Sequence, residues 1–137
     1  MGSAAVILLD THVLVWAVAD SKRLSRGAAA AIRQAHREGG LAVSAITLWE
    51  LASLVARGRI QAYGTVDASV RLLIEGVAVK PITPEIAALA TQFPEDYSRD
   101  PADRLIVASC RAFGHALLTR DRAITRARLV RRWTPID

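Results

Sequence analysis

Four of the chain's thirteen acidic residues stand where a carboxylate is costly, at the ends of apolar runs or alone inside one. Asp10 closes the run Ala4-Ala5-Val6-Ile7-Leu8-Leu9. Glu50 is the only charged residue between Glu38 and Arg57. Asp103 opens Asp103-Arg104-Leu105-Ile106-Val107-Ala108-Ser109, and Asp121 follows Ala116-Leu117-Leu118-Thr119-Arg120. Burying a carboxylate is expensive unless something positive compensates it. Four such positions point to a shared cation, and acids gathered round a divalent metal are a recurrent device for cutting phosphodiesters.

Each acid also has a plainer use. Asp10 and Asp121 can cap the helices that follow them, since Asp is a favoured N-cap. Asp100-Pro101-Ala102-Asp103 resembles a capping box, with Asp100 as N-cap, Pro101 at the first helical position and Asp103 at the third. That pattern assigns Asp100 to the cap and leaves Asp103 open to either role. Glu50 caps nothing, and Arg57 lies too far along for a good helical pair; its plain use is a polar stripe shared with Ser53.

The elements that would position these acids follow from the hydropathy pattern. Apolar runs at 4–9, 41–44, 77–82 and 116–119 read as short strands buried in a parallel sheet. Helices are expected over 11–19, from the Ser25 cap to about Glu38, over 46–57 and 67–75, from Thr83-Pro84-Glu85 to about Phe93, and over 101–113. Glycines follow several of them, at 39, 58, 76 and 114. Residues 94–100 read as a loop, 121–128 as a short helix and 130–133 as an edge strand. Strands alternating with helices imply α/β layering with helices on both faces of the sheet. In such sheets the site forms outside the carboxyl ends of the strands, where topology alone brings Asp10, Asp103 and Asp121 to one edge.

Composition bounds the answer further. A chain of 137 residues with 52% hydrophobic content predicts one domain spanning 1–137 with a substantial core. The net charge of +5 points to an anionic partner, either nucleic acid or an acidic protein. Sixteen of the eighteen basic residues are Arg, the better fork for phosphate. Arg120, Arg122, Arg126, Arg128, Arg131 and Arg132 crowd the last third and Arg104 adjoins Asp103, so these are the expected substrate grips or else a solvated basic face. Trp16, Trp49 and Trp133 can stack on bases, although core packing is the expectation for Trp49. No apolar run reaches the ~20 residues of a membrane span, and no secretory signal precedes Asp10. A cytoplasmic protein without membrane attachment is therefore expected.

Several chemistries drop out. The single Cys110 excludes an internal disulfide and a Cys-based zinc site, and its apolar helical setting reads as an inert core thiol. His12, His36 and His115 are scattered, so hard oxygen ligation by Mg²⁺ or Mn²⁺ is favoured over zinc or copper. There is no G-x-S-x-G elbow, P-loop or G-x-G-x-x-G run.

Four blocks carry a resemblance: Leu8-Leu9-Asp10-Thr11-His12-Val13-Leu14-Val15-Trp16, Ser44-Ala45-Ile46-Thr47-Leu48-Trp49-Glu50-Leu51, Asp100-Pro101-Ala102-Asp103-Arg104-Leu105-Ile106 and Leu117-Leu118-Thr119-Arg120-Asp121. In this order they resemble PIN-domain ribonucleases, most of all the VapC-type toxins of bacterial toxin–antitoxin pairs. The resemblance implies a three-layer α/β/α sandwich with a mainly parallel sheet, and Mg²⁺- or Mn²⁺-dependent endonucleolytic cleavage of RNA. Asp10, Glu50, Asp103 and Asp121 match the family's acidic quartet, and Thr119 a hydroxyl position near the site. An antitoxin that covers the site and a homodimer are implied in the same way, with apolar residues in 46–63 as candidates for either interface. On this reading Asp10 and Asp103 are the central ligands of one ion, and Asp121 and Glu50 complete its shell or hold a second.

Other classes fit less well. A signalling receiver domain carries an acidic pair after its first strand, where this chain has Thr11-His12, and its Lys-Pro lies near the end, whereas 56 residues follow Pro81 here. A dehalogenase-type phosphatase needs D-x-D, and His12 fills the second place. Housekeeping RNA processing on the same fold, and a binding-only RNA module, remain as alternatives.

Overall fold

A computed structural model describes residues 6–94 and 99–119. Four strands, β1 (Ile7–Leu9), β2 (Leu41–Ser44), β3 (Ala78–Lys80) and β4 (Ala116–Leu118), form a sheet in the order β3-β2-β1-β4. Every pairing is parallel, with Ile7 opposite Leu41 on one side and Ala116 on the other. Parallel neighbours require crossovers, and helices provide them. These are α1 (Thr11–Ala19), α2 (Arg26–Arg37), α3 (Ala45–Ala56), α4 (Val66–Leu73), α5 (Pro84–Thr91) and α6 (Pro101–Phe113).

The pleat divides the core into two clusters. Ile7, Leu9, Leu41, Val43 and Leu118 pack on Val13 and Leu14 of α1, on Ala28, Ile32 and Ala35 of α2, and on Leu51 of α3. Leu8 and Leu117 point the other way, onto Ile86 and Ala90 of α5 and Ile106, Val107 and Cys110 of α6. Because successive strand residues alternate faces, a run apolar at every position must be covered on both sides. The result is the expected α/β/α sandwich.

Local chemistry sets the element ends. Ser25, Ser44, Thr65 and Thr83 each accept a backbone N–H in the first turn of their helix, and Asp100 caps α6 by accepting from Ala102 N at 3.0 Å. Gly114, at φ +70°, ends α6 in the left-handed conformation that glycine adopts without strain. The chain then enters β4 two residues later. So α6 ends near the amino end of β4 and runs back about 20 Å along it, which carries Asp100 and Asp103 to the carboxyl edge of the sheet.

One expected strand is cut short. β3 is shorter than the run 77–82: it is the outer strand of the described sheet, Ala78 is exposed, and Pro81 has no N–H to continue a ladder. A 3-10 turn at Ser21–Arg23 joins α1 to α2. The expected helix at 121–128 and edge strand at 130–133 lie outside the described residues, as do Asp121, Trp133 and the C-terminal arginines. Among the described residues no helix is long and apolar enough to cross a membrane.

Candidate active site

The strand order reverses direction between β1 and β4, the neighbours on either side of which the chain winds in opposite senses. Parallel sheets open a crevice at such a switch point. Asp10 stands at its mouth. Its backbone N–H donates to the Leu118 carbonyl at 3.1 Å, so the β1–β4 ladder continues one residue past β1 and pins Asp10 to the seam. Asp10 is only 8% exposed. It occupies the N-cap position of α1, yet its side chain makes no capping bond. Instead Oδ2 accepts from the buried Thr119 hydroxyl at 2.8 Å. The capping explanation of this residue therefore fails, and Thr119 is a direct partner of Asp10.

Glu50 reaches the same edge from α3, whose N-terminus follows the last residue of β2. Thr11 Oγ1 donates to Glu50 Oε1 at 2.5 Å and lies 2.9 Å from Thr47 Oγ1. Thr11 has one hydroxyl proton, so while it serves Glu50 the proton between the two threonines comes from Thr47. Both threonines are buried, and their hydroxyl chain fixes where the half-buried Glu50 carboxylate sits. Desolvation is the main influence on Glu50 and raises its pKa above the ordinary 4.5; the Thr11 hydrogen bond pulls the other way, the charges of Asp100 and then Asp10 raise it further, and His12 lowers it. Asp10 and Asp100 thus both lie close enough to act on Glu50. Asp103, one turn into α6 from Asp100, is half-buried on that helix's first turn.

These sites have a stability consequence. A folded-state pKa raised above the unfolded value means that ionised Glu50 favours the unfolded chain, so its share of stability is complete below 4.5 and lost as pH rises through the raised value. Without added metal, Glu50→Gln should melt a few degrees above the parent at pH 7, and the two melting points should converge as pH falls below the ordinary carboxyl range. Thermal scans across pH read this directly; a Gln variant less stable at pH 7 would contradict it.

Carboxylates and hydroxyls meet at this edge, and mutual repulsion among acids favours a cation, which suits a hard divalent ion. Among the described residues no three acidic, His or Cys side chains are grouped closely enough to hold a metal as they stand. Mg²⁺ asks for less, since it keeps several waters and takes one or two carboxylates. Asp10 and the acids near it are the residues that would hold such an ion.

A model of the PIN domain matches residues 7–129. The chain belongs to the PIN-domain family. This PIN domain is 42% identical over 118 residues to the Mycobacterium tuberculosis (strain ATCC 25618 / H37Rv) protein named Ribonuclease VapC22, covering 86% of this chain and 88% of that one. Its fold is similar to that in the crystal structure of VapBC2 from Rickettsia felis bound to a promoter DNA fragment, with TM-score 0.73, 14% identity and coverage of 93% and 97% of the two chains. It is similar also to DNA-bound VapBC from Salmonella typhimurium, with TM-score 0.71, 18% identity and coverage of 94% and 97%.

Two sequence readings of this PIN domain are corrected by the structure, and one is extended. Arg104, expected beside the substrate, turns away: its guanidinium donates to the carbonyls of Ala90, Phe93 and Pro94 at 2.8, 2.6 and 3.2 Å. It closes the C-terminal end of α5, where a cation is favoured, and joins α5 to α6. Trp49, expected in the core, is 65% exposed. α3 buries Thr47, Leu51 and Val55, and a residue two positions from Thr47 lies about 200° round the helix. Asp100 caps α6 as expected but also acts on Glu50, so the cap and the site share it. Thr11 and Thr47 were overlooked. Their signal was spacing: Thr11 directly follows Asp10, and Thr47 precedes Glu50 by three residues, one helical turn. Cys110 is a buried core thiol with its pKa pushed up to about 12, chiefly by burial.

Proposed function

We propose that this chain is a divalent-metal-dependent endoribonuclease that serves as the toxin of a toxin–antitoxin pair. The observation that carries the reading is the Asp10 carboxylate, held at the β1–β4 switch point by Thr119 rather than spent on a helix cap. The relative named a ribonuclease, over most of both chains, supports the choice of RNA. Structural neighbours titled as VapBC complexes support an antitoxin partner and the toxin role over housekeeping RNA processing.

In this proposal Asp10 and Asp103 bind Mg²⁺ or Mn²⁺, with Glu50 and Asp121 completing the shell directly or through water. When bound, the ion lowers the pKa of a water and offsets charge building up on the phosphoryl oxygens. Thr119 keeps the Asp10 carboxylate in one orientation. Thr11 and Thr47 keep the Glu50 carboxylate turned to the crevice and accepting a hydrogen bond. Low exposure at Asp10 limits competing water, which strengthens every charge interaction there.

An apolar groove of about 360 Å³ between α1, α2 and α4, where Val18 and Leu72 are 56% and 53% exposed, is proposed as a seat for the antitoxin. It lies apart from the 46–63 segment expected from sequence, which leaves that segment's exposed Trp49 and Tyr63 for another use. A homodimer is also proposed.

The test is cleavage of a labelled RNA by purified protein. Activity is expected with Mg²⁺ or Mn²⁺, none with excess EDTA, and recovery when the ion is restored. Cleavage undiminished by EDTA, or no cleavage with either ion on any RNA tried, would refute the reading.

A further inference from the structure

Beside Glu50 the surface opens into a pocket of about 210 Å³, lined by His12, Trp49, Glu50, Ser53, Arg57 and Arg59 among others. Trp49, Ser53 and Arg57 follow one another at four-residue intervals along α3 and so form a single stripe. Trp49 is 65% exposed, and no aromatic or cationic partner covers it among the described residues. By contrast Trp16, also near His12, is covered by Arg23, 5.6 Å from its ring. Arg57 and Arg59 are exposed, and neither joins an ion pair among the described residues. The turn that brings Arg59 back is fixed: its N–H donates to Leu54 O at 2.8 Å, across Gly58 at φ +70°.

We propose that this pocket binds one unpaired nucleotide of the RNA next to the cleaved bond, with Trp49 stacking on its base and Arg57 and Arg59 holding its phosphate. The inference rests on the nuclease reading and extends it to how the strand lies. Seven residues of helix, about 10 Å, separate Glu50 from Arg57, so a strand with its reacting phosphate at the crevice passes Trp49 before it meets the two guanidinium groups. A flat exposed indole flanked by cations is the usual platform for a single-stranded base, and stacking tolerates any base. Protein interfaces also draw on Trp and Arg; what favours a strand here is that the pocket adjoins Glu50 at the crevice and that neither arginine joins an ion pair among the described residues. Duplex RNA, its bases stacked inside, has nothing to offer Trp49.

The proposal is tested in full-length protein carrying Asp10→Asn, so that RNA is bound without being cut. The probes are a short unstructured fluorescein-labelled oligoribonucleotide and a hairpin of the same composition, read by anisotropy over a salt series. Trp49→Ala should weaken single-strand binding about ten-fold, Trp49→Phe should recover most of it, and hairpin binding should change little. Arg57→Ala with Arg59→Ala should lower the slope of log affinity against log salt by about one unit. Arg71→Ala, on α4 and paired with Asp67, should leave binding as it was. Single-strand binding unaltered by Trp49→Ala overturns the proposal, and if that variant also loses a dimer on sizing the face is a protein interface. Failure of the parent protein to cut RNA under any metal refutes the nuclease reading separately, because the anisotropy differences do not depend on cleavage.

Discussion

Asp10→Asn is expected to lower RNA cleavage by about 10³-fold or more, in a protein that folds as well as the parent. Asp10 sits where the β1–β4 ladder ends and where the strand order turns, so its backbone is fixed at the mouth of the crevice and Thr119 orients its carboxylate. Asn has the same shape and still accepts from Thr119 Oγ1, so the seam is kept and only the negative charge goes. Losing that charge removes a proposed metal ligand but also relieves repulsion of Glu50, hence the melting point should hold or rise. Asp103→Asn should behave alike. Cleavage within ten-fold of the parent in either folded variant would remove that residue from the site.

Leu8→Ala is expected to cost about 2–5 kcal/mol of stability. Leu8 is fully buried at the centre of the sheet and faces α5 and α6 through Ile86, Ile106 and Val107. Truncating it loses the transfer energy of the side chain and leaves a cavity between rigid layers that close poorly. Set against total stabilities of about 5–15 kcal/mol for domains in general, the loss is a large part of the whole. It should reach the site too, because the strand that carries Leu8 ends in Asp10. Urea unfolding measures the effect through the midpoint at unchanged slope; a loss under about 1 kcal/mol would mean the two layers collapse onto the gap.

The strands were legible in the sequence because continuous apolar runs bounded by glycine and polar residues have few other uses, and the Asp100 cap because its spacing to Pro101 and Asp103 is specific. Glu50 was legible as a charge with no local purpose. Trp49 was not, since α3 is apolar nearly all round and its periodicity does not say which side meets the sheet. Arg104 misled through adjacency: neighbours on a helix point about 100° apart, so a residue next to Asp103 need not face what Asp103 faces. Thr11 and Thr47 stayed hidden because their partnership spans 36 residues and depends on how α1 and α3 pack. The assignment of Asp121 rests on its place after the fourth apolar run and on the resemblance, since it lies outside the described residues.

The direct test of the central claim is Mn²⁺ binding, followed by electron paramagnetic resonance on the parent protein and on Asp10→Asn with Asp103→Asn. Loss of free-ion signal on titrating the parent, and little or none in the double variant, is the predicted result. Equal uptake by both proteins, or none by the parent, would mean that these carboxylates do not share a cation.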